Sequence, residues 1–155
     1  MSALSVQLAS HGSLEFDRSV QLRREVLRWP LGLDFSPEEL ASEKKEIVLV
    51  AYKGDDLVGT LNLAVLRSPD GLKMRQVAVR PDEQGKGVGR ALVEMAEQIA
   101  IEAGSGFIKL HARDSALEFY TRLGYATEGE PFEEVGIPHR LMFKNFHCAS
   151  SASSS

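Results

Sequence analysis

Glycines at 85, 87 and 89, interleaved with Lys86 and Val88 and flanked by Gln84 and Arg90, are the residues of this chain best suited to chemistry. Before them runs Val77-Ala78-Val79, a β-forming stretch that stops at Pro81, and after them an apolar-periodic stretch begins. That order predicts a strand, a tight loop and a helix N-terminus. The first N–H groups of a helix have no partner inside it and sit at the positive end of its dipole. Such a loop binds anions, phosphate above all. Glycine admits positive φ and lets an oxygen approach the main chain closely. Lys86 and Arg90 add positive charge. The expected chemistry is pyrophosphate binding, and spacing must say which cofactor carries the pyrophosphate.

Two of three candidate loops fail by count. A Walker A loop requires G-x-x-x-x-G-K-[ST], and no glycine here is followed by Lys-Ser or Lys-Thr. The dinucleotide fingerprint G-x-G-x-x-G, started at Gly85 and Gly87, meets Arg90 where its third glycine belongs. What remains is Gln-x-x-Gly-x-Gly, read on Gln84, Gly87 and Gly89. This loop resembles the coenzyme A loop of the GNAT superfamily of N-acetyltransferases. Phe119-Tyr-Thr-Arg-Leu-Gly-Tyr125 is similar to the F-Y-x-x-L-G-[FY] segment common in that superfamily. Gly136-Ile-Pro-His-Arg-Leu-Met142 is similar to the G-I-P-H-x-x-M segment of one of its poorly assigned branches.

The elements that must position these residues alternate along the chain. Leu4 to Leu8 reads as a strand, and Phe16 to Arg28 as a helix stopped by Trp29-Pro30. Ser36-Pro-Glu-Glu39 is a helix start with a capping box. Ile47 to Tyr52 and Leu57 to Leu66 are strands split by the hairpin signal Lys53-Gly-Asp-Asp56, and Leu72 to Val79 follows a turn at 68–71. Val88, Leu92, Met95 and Ile99 recur at helical spacing, up to Gly104. Phe107 to Ala112 is a strand, Ala116 to Leu123 a short helix closed by Gly124, and strands near Tyr125 to Glu130 and His139 to Asn145 complete the chain. The order is β-α-α-β-β-β-α-β-α-β-β. It agrees with the α/β (α+β) GNAT fold, a mixed, mostly antiparallel central sheet flanked by helices and splayed where the cofactor enters. Residues 1–146 are expected to form one acetyltransferase domain, and the serine-rich 147–155 a disordered tail.

The resemblance implies acetyl-CoA as cosubstrate and acetyl transfer to an amine. Gln84, Gly85, Lys86, Gly87, Val88, Gly89 and Arg90 would hold the pyrophosphate. Main-chain groups of Val77, Ala78 and Val79 would meet the pantetheine arm and place an N–H at the thioester oxygen. Tyr120 is implied as the acid that protonates the departing thiolate. By spacing alone Tyr120 lies on the Ala116–Phe119–Leu123 stripe and reads as a core aromatic. For the base the candidates are His139, Glu134, Glu133 and His111, acting directly or through water. Each also has a plain structural account, as a hydrogen-bonded strand histidine or a solvated hairpin carboxylate. Many relatives carry asparagine where this chain has Arg113, so that contact is not carried over. Trp29, Leu31, Leu33 and Phe35 could line an apolar acceptor slot or simply pack on the core.

Composition narrows the partners. With 18 Lys and Arg against 22 Asp and Glu the net charge is −4, and no basic run points to nucleic acid. The lone Cys148 cannot form an internal disulfide and suits a reducing cytoplasm, and it follows the last strand, so direct transfer in a ternary complex is expected. Neither a secretion leader nor a run of about 18 apolar residues is seen, so no membrane span is expected. The four histidines and one cysteine show no metal-ligand spacing. The expected partner is an amine-bearing small molecule, favoured over a protein, with a monomer or homodimer as the assembly. The alternative from another class is a catalytically silent acyl-CoA-binding sensor or interaction module, and a nucleotide-binding regulator is disfavoured by both failed counts.

Overall fold

The computed structural model describes residues 3–67 and 71–146; the expected tail at 147–155, with Cys148, lies outside the described residues. The elements run β1 (Leu4–Ala9), α1 (Leu14–Arg23), α2 (Pro37–Ser42), β2 (Ile47–Lys53), β3 (Asp56–Leu66), β4 (Gly71–Val79), α3 (Val88–Glu102), β5 (Phe107–Arg113), α4 (Leu117–Arg122), β6 (Ala126–Glu134) and β7 (Ile137–Asn145). This is the succession expected from the sequence. The strands form a seven-stranded sheet in the order β1-β2-β3-β4-β5-β7-β6. The β4–β5 pair is parallel, while β1–β2, β2–β3, β5–β7 and β6–β7 are antiparallel. None of the described helices is long and apolar enough to cross a membrane. The chain divides into two compact units, one built from the segment up to Ala64 with Arg75–Ala96, the other from Val65–Met74 with Glu97 onward.

In the first unit the β1–β2–β3 meander buries Val48, Val50 and Tyr52 against Phe16 and Val20 of α1. Ser13 caps α1 by accepting from the Phe16 N–H, and Ser19 is hydrogen-bonded to Thr60 of β3 at 2.8 Å. The expected helix over Phe16 to Arg28 is only partly regular. Past Arg23 the chain widens into a π-turn over Arg24–Arg28, and Trp29–Leu31 form a 3-10 turn closed by Gly32 at φ 73°. Pro30 therefore tightens the backbone rather than ending the helical path at once. Arg23 is wholly buried and makes a two-pronged ion pair with Glu43, at 2.8 and 2.9 Å. The expected capping box is present: Ser36 accepts from the Glu39 N–H, and Glu39 accepts from the Ser36 N–H. Phe35 is buried under the Arg28 guanidinium at 4.0 Å, whereas Trp29 and Leu33 are exposed, so these residues do not form one apolar slot.

In the second unit β5 alternates strictly: Ile108, Leu110 and Ala112 are buried, and Phe107, Lys109, His111 and Arg113 lie on the other face. Leu72 and Met74 pair with Ile108 and Leu110, and Met142 of β7 pairs with Leu110, giving an apolar stripe across three strands. The terminal strand β6 is exposed nearly throughout and carries Glu128, Glu130, Pro131, Glu133 and Glu134. Val135 and Gly136, both at positive φ, connect it to β7. A two-residue turn of this kind matches the twist of its strands, but a β-branched residue there is strained.

Candidate functional site

The glycine loop is built by β4 and α3. After the β4–β5 ladder over Leu72–Met74, Gln76 takes φ 58°, a left-handed conformation in mid-strand that kinks β4 as a bulge does. Val77, Ala78 and Val79 follow, with Ala78 buried. A 3-10 turn at Pro81–Glu83 then leads to Gln84, whose side-chain amide donates to the Val79 carbonyl at 3.1 Å and closes the loop on its own strand. Gly85 and Gly87 stand at φ 78° and 90°, and a Cβ on either would meet nothing within 4 Å. These glycines are therefore required by backbone conformation, and the space beside them is open. The Ala91 N–H donates to the Gly87 carbonyl, so the first turn of α3 begins here.

What holds that turn against the sheet is Gly59 of β3. A Cβ on it would lie 2.7 Å from Val88 Cγ1 and 2.9 Å from Leu92 Cδ1. Val88, Leu92 and Val93 are all buried, while Met95, on the expected apolar stripe, is 37% exposed. Among the charges, Arg90 is turned along its own helix, its Nε donating to Glu94 at 3.0 Å. Lys86 is exposed on the loop.

Tyr120, in the second unit, is 5% exposed. Its ring meets Phe119 edge-on at 4.9 Å and Tyr125 at 5.8 Å. Burial pushes its phenol well above the ordinary tyrosine range, so the hydroxyl keeps its proton at any working pH. Tyr125 behaves similarly: burial comes first, then the Glu97 carboxylate, to which its hydroxyl donates at 2.9 Å. Lys144 joins the same carboxylate at 3.1 Å and donates to the Leu123 carbonyl.

Three of the four base candidates, His111, Glu134 and His139, come together on one face of β5, β6 and β7, whereas Glu133, opposite Pro138, lies on the other face. Directly opposed residues of antiparallel strands share a face, so His139, opposite Arg113 and Phe132, lies on the His111 side. His111 Nδ1 is 2.8 Å from Glu134 Oε1. Phe132 meets His111 edge-on at 5.0 Å and stacks with His139 at 6.1 Å. His139 is 3% exposed, and its Nδ1–H donates to the Ile137 carbonyl at 2.9 Å. A carbonyl only accepts, so in neutral His139 the lone pair is on Nε2. Sequence spacing leaves His111, His139 and Glu134 unconnected; their joint placement follows from the hairpin register. No three metal-ligating side chains gather among the described residues.

Residues 34–146 match a family described as an acetyltransferase (GNAT) domain. The uncharacterised N-acetyltransferase YjcF of Bacillus subtilis (strain 168) is 35% identical over 111 residues, which cover 70% of this chain and 75% of that protein. The chain spans 64–75% of the lengths of the Bacillus subtilis relatives it matches. Among solved structures, an acyl-CoA N-acyltransferase from Pseudomonas aeruginosa is similar with a TM-score of 0.76 at 24% identity, over 92% of this chain and 99% of that one. The PaiA N-acetyltransferase from Thermoplasma acidophilum, in complex with coenzyme A, is similar with a TM-score of 0.71 at 17% identity, over 93% and 99%. At such identities the likeness is one of fold.

Proposed function

Because the chain belongs to the GNAT acetyltransferase family, we propose that it is an N-acetyltransferase that passes the acetyl group of acetyl-CoA directly to a small cationic amine in a ternary complex. The observation that carries this reading is the loop from Gln84 to Gly89, with two glycines at positive φ and open space at the mouth of α3. Amides fixed at a helix N-terminus suit a pyrophosphate, which no other part of the sequence is patterned to hold.

In this reading Gln84, Gly85, Lys86, Gly87, Val88, Gly89 and Arg90 surround the pyrophosphate. The main chain of Val77 to Val79 receives the pantetheine arm, and one N–H there stabilises the oxyanion. Tyr120 gives its proton to the departing thiolate. His139 and Glu134 stand on the acceptor side, and the glutamates of β6 attract an ammonium group. Direct transfer fits a chain whose one cysteine, Cys148, comes after the last strand. The same cysteine usage fits a reducing cytoplasm, and we place the protein there as a monomer or homodimer. We take 1–146 as the acetyltransferase domain, of the branch with the G-I-P-H-x-x-M segment, and 147–155 as a tail.

Calorimetric titration with acetyl-CoA, with NAD and ATP as parallel controls, tests the reading. One-site binding of acetyl-CoA alone is the expected result, followed by thiol release in the presence of an amine. Binding of NAD or ATP in its place overturns the loop assignment. Acetyl-CoA binding with no thiol release for any amine identifies a silent acyl-CoA-binding module.

A further inference from the structure

We propose that His111, oriented by Glu134, is the group that takes the proton from the acceptor's ammonium; this rests on the N-acetyltransferase reading above. An ionised carboxylate only accepts hydrogen bonds, so Glu134 Oε1, at 2.8 Å, fixes the His111 proton on Nδ1. The lone pair of the neutral ring is then on Nε2. The ring edge against Phe132 fixes the plane of the imidazole. A carboxylate that holds the tautomer and steadies the imidazolium is the arrangement a histidine base requires.

Two observations favour His111 over its neighbours. Its side chain is 28% exposed, open to an incoming acceptor and to water, whereas His139 is only 3% exposed. Glu134, which could have been the base itself, already spends an oxygen on His111. The hairpin also holds Glu134 at a cost. Val135 takes φ 48°, a conformation that β-branched residues avoid, in the two-residue turn that sets Glu134 opposite Ile137. Strain kept at one turn points to a placement that matters. The charged and titratable groups sharing this face are Lys109 and Arg113 from β5, Glu128 and Glu134 from β6, and His139 from β7.

The step balances without any further reactant. An ammonium, with a pKa near the lysine value of about 10.4, gives one proton to His111 Nε2 and becomes the free amine. The amine lone pair forms the C–N bond to the thioester carbonyl carbon, and the C–S bond breaks with its electron pair on sulfur. The second proton lost by nitrogen replaces the one delivered to sulfur, and His111 returns its proton to water.

The test compares an alkylamine, protonated at neutral pH, with an arylamine of similar size that is already neutral. His111→Gln is expected to lower kcat/KM for the alkylamine by about 100-fold or more, the usual contribution of a general base. The arylamine rate and acetyl-CoA affinity should hardly change. Glu134→Gln should show a smaller loss in the same pattern. Equal losses for both amines, or no loss for either, overturn the His111 assignment while leaving the transferase reading intact. A wild-type protein that binds acetyl-CoA but acetylates neither amine overturns both.

Discussion

A Cβ placed on Gly59 would lie 2.7 Å from Val88 Cγ1, so β3 and the first turn of α3 approach more closely than any other residue at position 59 permits. Valine is stiff at χ1 and Val88 is buried, so it cannot yield by a rotamer change. Gly59→Ala should therefore displace the start of α3. A loss of about 1–3 kcal/mol is expected in urea unfolding, the usual cost of overpacking. Acetyl-CoA affinity should fall more than an equally destabilising change elsewhere would cause. Unchanged affinity in a folded Gly59→Ala protein would detach this glycine from the loop.

Gln76 supplies a second test of backbone conformation. A left-handed φ costs an L-residue about 1–2 kcal/mol, and glycine nothing of that kind. Gln76→Gly should thus remain within about 1 kcal/mol of wild type, its gain offset by chain entropy. Gln76→Val should lose about 2 kcal/mol or more, although valine is the better strand former. A stabilised valine variant would show that β4 is regular through position 76.

Tyr120→Phe keeps the ring among Phe119 and Tyr125 and removes only the hydroxyl. Turnover should fall by about 100-fold or more, with little change in acetyl-CoA binding by calorimetry. Normal turnover on an accepted amine would leave Tyr120 a packing residue.

The element order was legible because glycine and proline punctuate it, and the loop because its glycines are spaced for one cofactor class. Other features depend on partners that sequence does not display. Gly59 has ordinary φ and owes its identity to Val88, 29 positions away. Gln76 sits among β-formers that hide its positive φ. Alternation predicted that His111 shares a face with Lys109, but only the 134–137 turn brings Glu134 to it. On α3 the helical spacing selected Met95, while the buried positions include the smaller Ala96 and Ala100. Small residues there allow close packing, and a hydrophobicity count undervalues them.

Buried Arg23 and Glu43 are joined by two hydrogen bonds, and Phe35 and Phe16 lie against the guanidinium at 5.2 and 5.9 Å. Glu43→Gln should cost about 3–5 kcal/mol in chemical unfolding, because it leaves a buried charge uncompensated. The double change Arg23→Met with Glu43→Leu should recover most of that loss. A double variant as unstable as the single would mean that the pair contributes more than the desolvation it incurs.

Glu39 gives stability a pH signature. The Arg28 guanidinium, and then the Ser36 N–H, hold its carboxyl below the usual range. A depressed folded-state value contributes stability that is present above the unfolded value of about 4.3 and is lost as pH falls through the folded one. Glu39→Gln should be less stable than wild type at pH 7, and the gap should close in acid below pH 4. A gap that stays constant with pH in urea titrations would reduce Glu39 to a neutral cap.

At the margin of the sheet, β6 packs four glutamates and a proline into nine residues. Exposed strand edges are templates on which further chains can assemble. Here Pro131 withholds a donor, and two copies of this edge brought together would set like charges against each other. The exposed carboxylates of this strand thereby protect the protein from itself. The protection is colloidal and conditional, weakening wherever acid or concentrated salt masks those charges.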